Sequence, residues 1–270
     1  MRCCVECNSL TADSFFRHYN KHPVPLLSFS KTSEYWDIFY PAWTFWAGGP
    51  AISKHPTGLG RWDLMRKNLL LSSQKWPWKD KFPTVFFRGS RTSSERDNLV
   101  KLSRKKPDLV NAAYTKNQAW KSNADTLGLD PFPEVSLEDH CQYKYLVNFR
   151  GVAASFRFKH LFLCHSLVLH VGQDWLEFFY PALKPWIHYV PVQSDASQED
   201  LNDLIEFLID HEDISEKIAD QGFNFVKKWL NMKDVENYWL TLIDEYVKKL
   251  DFVPEVDKSS KKIVVKTKRH

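Results

Sequence analysis

Between residues 84 and 192 the sequence alternates between short apolar runs and amphipathic segments. The apolar runs are rich in β-branched and aromatic residues, which is typical of buried strands. Strand–helix alternation of this kind indicates an α/β fold, with a mostly parallel sheet covered by helices on both faces. The predicted strands are 84–87, 109–114, 143–149, 167–171 and 188–192, and the predicted helices are 63–72, 92–105, 155–164, 198–210, 214–230 and 235–250.

Two of the predicted strand-to-helix turns contain glycine. Gly89 follows the first strand and Gly151 the third, so both turns should lie at the edge of the sheet where the parallel strands end. Thr92 stands three residues before Glu95, the spacing of a capping box, which would start the first helix there. Helix N-termini favour anions. Arginines near both turns add permanent positive charge: Arg88, Arg91, Arg96 and Arg157.

The two turns together favour binding of a nucleotide diphosphate, because guanidinium groups pair well with phosphate oxygens. The simpler interpretation is a pair of solvated turns that happen to carry arginines. No Asp-x-Asp motif occurs, so a metal-bridged diphosphate has no evident anchor. Arginines and helix dipoles would then stabilise the leaving diphosphate.

Composition excludes several other classes of protein. The net charge of +4 is too small to argue for a nucleic-acid partner, and many of the basic residues lie near the C-terminus. No apolar run approaches the roughly 20 residues of a membrane span. The N-terminus lacks the apolar region of a signal peptide, which taken literally indicates a cytosolic protein. Neither Cys3, Cys4 and Cys7 nor the evenly spaced His160, His165 and His170 have the spacing of metal ligands.

Residues 35–46 are unusually aromatic. They contain five tryptophan and tyrosine residues in a short space, together with phenylalanine, which is too apolar for an exposed loop. One interpretation is a wall of the core. The other is an aromatic cleft for a sugar or a peptide, because flat rings cover the apolar face of a pyranose.

Three motifs resemble one known family. They are Phe87-Arg88-Gly89-Ser90-Arg91-Thr92-Ser93, Tyr114-Thr115-Lys116-Asn117-Gln118-Ala119-Trp120-Lys121 and the stretch 148–160. They are similar to motifs of the CAP10-like glycosyltransferase family, in particular the Rumi-type protein O-glucosyltransferases. The similarity extends from about residue 25 to about residue 250.

The resemblance implies an α/β fold of the GT-B type, with two Rossmann-like halves. It implies an inverting, metal-independent transfer of glucose, sometimes xylose, from a UDP-sugar to Ser in Cys-x-Ser-x-Pro/Ala-Cys of EGF-like repeats of Notch-type proteins. The expected setting is the endoplasmic reticulum lumen, and the expected state is a monomer without cofactor, metal, nucleic-acid partner or membrane insertion. The resemblance also implies a disulfide between Cys141 and Cys164.

Site residues follow from the resemblance position by position. The expected donor contacts are Gly89, Ser90, Arg91, Arg96, Val152, Ala153, Ala154, Ser155, Phe156 and Arg157. The expected acceptor segment is Ala51, Ile52, Ser53, Lys54, His55 and Pro56. Asp13 falls near the position of the family's catalytic Asp, although its neighbours do not match the family motif.

The mismatch around Asp13 and two further departures from the family pattern predict an N-terminally truncated or divergent member with little or no transferase activity. The acceptor segment is one residue short, and the last residues do not match the family's Lys-Asp-Glu-Leu-like retention signal. A module that binds UDP-sugar or EGF-like repeats without transfer is the alternative. We expect a remnant of the acceptor-side domain at 1–80, a UDP-sugar-binding domain at 81–231, a helix at 232–252 that packs back on the N-terminal part, and a basic disordered tail at 253–270.

Overall fold

The computed structural model describes residues 26–46, 61–117, 119–251 and 259. Several predictions concern residues outside these ranges: the catalytic role of Asp13, the acceptor role of residues 51–56, the state of Cys3, Cys4 and Cys7, and, apart from Ser259, the tail at 253–270. The strands are β1 (Leu27–Ser28), β2 (Ile38–Phe39), β3 (Phe82–Gly89), β4 (Val110–Tyr114), β5 (Tyr143–Phe149), β6 (Leu167–Val171) and β7 (Val190–Val192). The α-helices are α1 (Trp62–Lys75), α2 (Asp97–Lys105), α3 (Leu137–His140), α4 (Phe158–Phe162), α5 (Gln198–Asp210), α6 (Glu212–Trp229) and α7 (Met232–Val247).

The centre of the fold is a five-stranded parallel sheet with the strand order β4-β3-β5-β6-β7. Side chains alternate across it, so that Val85 and Phe87 enter the core on one face and Phe86 enters the core on the other. Helices α2 and α5 cover the first face, α1 and α4 cover the second, and α6 contributes to both. The α/β class and the parallel sheet predicted from the sequence are confirmed.

The helix predicted at 155–164 is shorter in the structure. Only Phe158–Phe162 is α-helical, and residues 152–154 form bends. The Ser155 hydroxyl donates a hydrogen bond of 2.7 Å to Asn148 Oδ1 at the end of β5, so it is held against the strand and does not open a helix. The predicted start of this helix at residue 155 is therefore wrong.

The capping box predicted at Thr92 and Glu95 is also absent. A 3-10 turn, Ser94–Arg96, precedes α2, and its N-cap makes no side-chain hydrogen bond. The Glu95 carboxylate instead pairs with the guanidinium of Arg150, a residue 55 positions away in the sequence. Local spacing gave no indication of this long-range partner, so the predicted start of the helix at 92 is wrong.

The aromatic segment 35–46 divides between core and surface. Phe45 is fully buried, and its ring lies 6.1 Å from that of Trp62, whereas the side chain of Trp36 is 88% exposed. Trp62 is itself buried and donates a 2.6 Å hydrogen bond from its indole N–H to Leu230 O. Helix α7 contacts the same segment, since Tyr238 Oη donates to Phe39 O at 3.1 Å. The division into domains at 80, 231 and 252 stays a prediction.

The two outermost strands of the sheet, β4 and β7, each carry a feature that hinders pairing with a further strand. At the β4 edge, the Ser103 hydroxyl of α2 donates to Val110 O at 2.8 Å and accepts from Ala112 N at 2.9 Å. At the other edge, β7 contains Pro191, which has no backbone N–H to offer. These two features hinder the addition of a further strand at either edge.

A disulfide joins Cys141 to Cys164, as the resemblance implies, with the two Cα atoms 4.5 Å apart. Both residues are fully buried. The ammonium of Lys81, at the start of β3, donates hydrogen bonds to the carbonyl oxygens of both cysteines, the one to Cys164 at 2.9 Å. One buried cation thus holds the two ends of the disulfide against the sheet.

The buried ammonium of Lys81 predicts a pH-dependent stability. Burial lowers the pKa of Lys81 from 10.5 to about 7. Between these values the unfolded chain keeps the proton that the folded protein has lost, so the free energy of unfolding rises with pH across this window. From pH 7 to pH 9 we expect the wild type to gain about 2 kcal/mol relative to Lys81→Met, measured by urea unfolding. Parallel pH curves for the two proteins would contradict this expectation.

Gly222 lies where α6 crosses close to another part of the chain. A Cβ atom at this position would lie 2.3 Å from His188 O and 2.9 Å from Phe162 Cδ1. Alanine normally stabilises a helix relative to glycine. Here we expect Gly222→Ala to lower the free energy of unfolding by about 2–3 kcal/mol, because a backbone carbonyl cannot move aside cheaply. Asn224→Ala, at an exposed position of the same helix, is the control and should be neutral or stabilising when both are compared by chemical denaturation.

Candidate donor site

Two guanidinium groups meet at the edge of the sheet where β3 and β5 end. The Arg96 guanidinium carbon lies 5.6 Å from the centre of the Phe87 ring, and that of Arg157 lies 5.5 Å from the same centre. Arg96 also lies 5.7 Å from the ring of Phe149, the last residue of β5. The structure therefore brings together the two arginines that the sequence placed in separate turns.

Backbone carbonyl oxygens hold both guanidinium groups in place. Arg96 donates from Nη1 to Ser90 O and from Nη2 to Arg150 O, while its buried Nε has no hydrogen-bond partner. Arg157 donates from Nη1 to Arg88 O at 2.5 Å. Carbonyl groups orient a guanidinium without neutralising its charge, so both groups keep their positive charge for a ligand.

Burial and mutual repulsion make this an electrostatically costly arrangement. Burial, and secondarily the charge of Arg157, lower the pKa of Arg96 to about 9. Burial lowers the pKa of Arg157 to about 10. Within the described ranges, neither guanidinium forms an ion pair with a carboxylate. Two buried positive charges side by side are what a bound dianion such as a diphosphate would compensate.

Gly89 allows this close approach at the end of β3. A Cβ atom there would lie 3.1 Å from Phe87 Cζ and 3.2 Å from Arg157 Nη2. Both distances are tighter than ordinary van der Waals contact, so a side chain would push the Arg157 guanidinium away. Gly89, which the sequence singled out, thus leaves the space that the Arg157 guanidinium occupies.

The remaining predicted donor residues are more varied. Arg91 forms a bidentate ion pair with Asp97, at 2.6 and 2.8 Å, and is thereby neutralised. Asp97 accepts a further hydrogen bond of 2.7 Å from Tyr114 Oη. Val152 is 85% exposed at the tip of its turn, and Ala153 is partly exposed beside it. The Arg91 side chain therefore supplies no uncompensated charge to the site.

Residues 154–156 connect the second turn to the N-terminal segment. Ala154 N donates to Ser30 Oγ at 3.2 Å, and the Phe156 ring lies 5.3 Å from Trp43 and 5.8 Å from Phe29. Ser155 is buried and bound to β5 through Asn148. These residues hold the turn that carries Arg157, and their side chains are engaged within the protein.

A buried lysine and glutamate lie behind this turn and were not singled out in the sequence. Lys159 Nζ donates to Phe156 O at 3.0 Å and contacts Thr44 Oγ1 at 3.4 Å. Burial raises the pKa of the fully buried Glu177, and the charge of Lys159 opposes that shift. The sequence gave no signal that these two charges lie close enough to influence each other. Lys159 connects the turn before α4, at Phe156, to the segment that contains Thr44.

The part of the chain that the structure describes bears on two other possibilities, a metal site and a membrane span. There, no cluster of three or more His, Cys, Asp or Glu side chains could hold a metal ion. His160 and His170 are buried, and His165 pairs with Asp220 at the surface. Within the same ranges, every helix is too short or too polar to cross a membrane.

Comparison with known proteins places the chain among glycosyltransferases. The model of glycosyl transferase family 90 matches residues 5–269. The chain is 61% identical over 243 residues to the "O-glucosyltransferase rumi homolog" of Aedes aegypti, covering 90% of this chain and 60% of that protein. It is 60% identical over 230 residues to "Protein O-glucosyltransferase 1" of Homo sapiens, covering 85% of this chain and 58% of that protein.

The chain thus spans about 60% of the length of the curated relatives it matches. Among solved structures it is similar to Anabaena HepE in complex with UDP and glucose, with 12% identity and a TM-score of 0.47 over 66% of this chain and 52% of that one. The family match over residues 5–269 covers the two glycine-containing turns and both buried arginines. The chain belongs to glycosyl transferase family 90.

Proposed function

We propose that this chain binds a UDP-sugar at the edge of its parallel sheet and belongs to a protein O-glucosyltransferase that transfers glucose to a Ser hydroxyl. The observation that carries the proposal is the pair of buried guanidinium groups of Arg96 and Arg157 above the Phe87 ring. They keep their charge, and Gly89 lies where a side chain would displace Arg157. The relatives named protein O-glucosyltransferases supply the class of reaction.

The proposed reaction is an inverting displacement at the anomeric carbon of the sugar. The Ser oxygen attacks C1 and loses its proton to a carboxylate, while the bond from C1 to the UDP oxygen breaks and UDP leaves with the electron pair. Arg96 and Arg157 stabilise the negative charge that develops on the leaving diphosphate, so that no metal is needed. Their contribution grows as the bond breaks, which makes it a contribution to rate and not only to binding.

The proposed acceptor is Ser in folded EGF-like repeats of the Cys-x-Ser-x-Pro/Ala-Cys type, as in Notch-type proteins. Such repeats form their disulfides in an oxidising compartment, and the buried disulfide of this chain suits the same setting. The endoplasmic reticulum lumen is therefore the proposed location. UDP-glucose is the proposed donor, with UDP-xylose as a second substrate, and the proposed state is a monomer.

A titration with UDP-glucose tests the donor site. We expect binding measurable by isothermal titration calorimetry, competition by UDP, and no dependence on added Mg²⁺ or on EDTA. GDP-glucose, which carries a different nucleobase, is the control for recognition of uracil. An absence of UDP binding by the folded wild-type chain would refute the proposed donor site.

The alternative function is binding of UDP-sugar or of EGF-like repeats without transfer. It is favoured by the poor match around Asp13, the candidate for the general base. A positioned base contributes about 10²–10⁴-fold to the rate, so its loss would leave binding intact and transfer slow. Glucose transfer to a folded EGF repeat by the wild type and by Asp13→Asn separates the two functions. We expect little transfer from either protein, and rapid transfer abolished by Asp13→Asn would instead identify Asp13 as the base.

A further inference from the structure

We propose that the ion pair between Glu95 and Arg150 is a positioning clamp that orients the Arg96 guanidinium for the diphosphate. Glu95 and Arg150 are positioning residues in this proposal, since they act through Arg96. The inference rests on the proposed donor site and adds a function for a carboxylate that would otherwise oppose anion binding.

The clamp is built from a side-chain pair with well-defined geometry. Arg150 Nη2 donates to Glu95 Oε1 at 2.7 Å, and Arg150 Nε donates to Oε1 at 2.9 Å and to Oε2 at 3.1 Å. The side chains are 29% and 19% exposed. A bidentate, partly buried pair of this kind fixes both side chains more firmly than a surface ion pair does.

The same two segments are joined a second time through the backbone. Arg96, the residue after Glu95, donates from Nη2 to the carbonyl oxygen of Arg150. Residues 95 and 96 therefore hold residue 150 by its side chain and by its carbonyl group. The turn after β3 and the turn after β5 are therefore joined next to Arg96, and these contacts orient its guanidinium.

Arg96 depends on these contacts because only one other hydrogen bond in the described ranges orients its guanidinium. Its Nη1 donates to Ser90 O, its Nε has no partner, and its side chain is almost fully buried. Without the pair, the carbonyl group of Arg150 is free to rotate with its turn. The guanidinium would then lose one of the two hydrogen bonds that aim it.

Removal of the Glu95 charge should change UDP affinity in opposite directions, depending on whether Glu95 only repels the anion or also positions Arg96. A carboxylate close to an anion site repels the anion, so by Coulomb's law alone Glu95→Gln would strengthen UDP binding. Under the positioning proposal, Glu95→Gln weakens UDP binding by about tenfold, the effect of about one lost charge-assisted hydrogen bond. The sign of the change in UDP affinity decides between them.

The experiment compares Glu95→Gln with Glu206→Gln by calorimetric titration with UDP. Glu206 pairs with Lys106 at 2.9 Å near the start of β4, at the end of the sheet where the strands begin. Replacing Glu206 by Gln changes the net charge by the same amount. We expect wild-type affinity for Glu206→Gln, about tenfold weaker binding for Glu95→Gln, and recovery in the charge-exchanged double variant Glu95→Arg/Arg150→Glu. Melting temperatures show whether each variant is folded.

Each outcome bears on one proposal. If the wild type binds no UDP, the donor site itself is refuted before any variant is compared. If the wild type binds UDP and Glu95→Gln binds it equally or more tightly, the clamp is refuted and the donor site stands. If Glu95→Gln does not fold, the double variant decides, since it retains an ion pair at the same place: wild-type-like affinity supports the clamp, and weak binding by the folded double variant overturns it.

Discussion

Arg157→Met is expected to weaken UDP binding by about a hundredfold while leaving the melting temperature unchanged or raising it. Arg157 is buried beside Arg96, and no carboxylate in the described ranges pairs with either guanidinium. Methionine has a similar length, fills the space next to Phe87, and removes a charge that folding had to desolvate. Affinity is measured by calorimetric titration with UDP and stability by differential scanning fluorimetry.

A matched control for this variant is Arg104→Met in α2. Arg104 also donates to backbone carbonyls, to Leu127 O at 2.9 Å and to Thr126 O at 3.2 Å, but it lies away from Phe87. We expect Arg104→Met to bind UDP as the wild type does. A loss of stability in Arg157→Met together with unchanged UDP affinity would show that Arg157 has only a structural function.

The double variant Cys141→Ala/Cys164→Ala is expected to lose about 3 kcal/mol of unfolding free energy. The disulfide closes a loop across a sequence separation of 23 residues, and the loss follows from the greater chain entropy of the unfolded state. Urea unfolding of the oxidised wild type and of the variant gives the difference.

Reduction of the wild type provides the control for this prediction. A reductant should bring the wild type close to the stability of the double variant and leave the variant itself unchanged. Equal unfolding free energies of the oxidised wild type and the variant would mean that the disulfide does not restrict the unfolded chain as the loop-closure argument requires.

Much of the fold follows from local sequence patterns. The bounds predicted for β5 and β6 agree with the structure, because both are mainly aliphatic and aromatic runs in the middle of a buried sheet. Helix α5 also begins and ends where expected, since the Ser197 hydroxyl and the Asp200 carboxylate form a capping box at its start. Where one residue's local preference agrees with the tertiary structure, the sequence is sufficient.

The predictions failed where a side chain has a distant partner. Glu95 has the spacing of a capping box, but its carboxylate bonds to Arg150, and this contact has no local signature. Ser155 could have begun a helix, but its hydroxyl bonds to Asn148 in the neighbouring strand. The sequence indicated that Arg96 and Arg157 share an edge of the sheet. It could not indicate that both lie over one phenylalanine ring or that Gly89 makes room for Arg157.

The features at the β4 and β7 edges of the sheet bear on the proposed protein acceptor, because they hinder pairing with an extended chain. At β4, an extended peptide could add as a further strand only by displacing the Ser103 hydroxyl from Val110 and Ala112. At β7, Pro191 lacks one of the donors that such pairing uses. Main-chain pairing would accept almost any unfolded polypeptide, because it reads no side chains. For the proposed transfer to a protein, obstruction of that route would leave recognition of the acceptor to surface shape and side-chain chemistry, which a folded acceptor presents in a fixed arrangement.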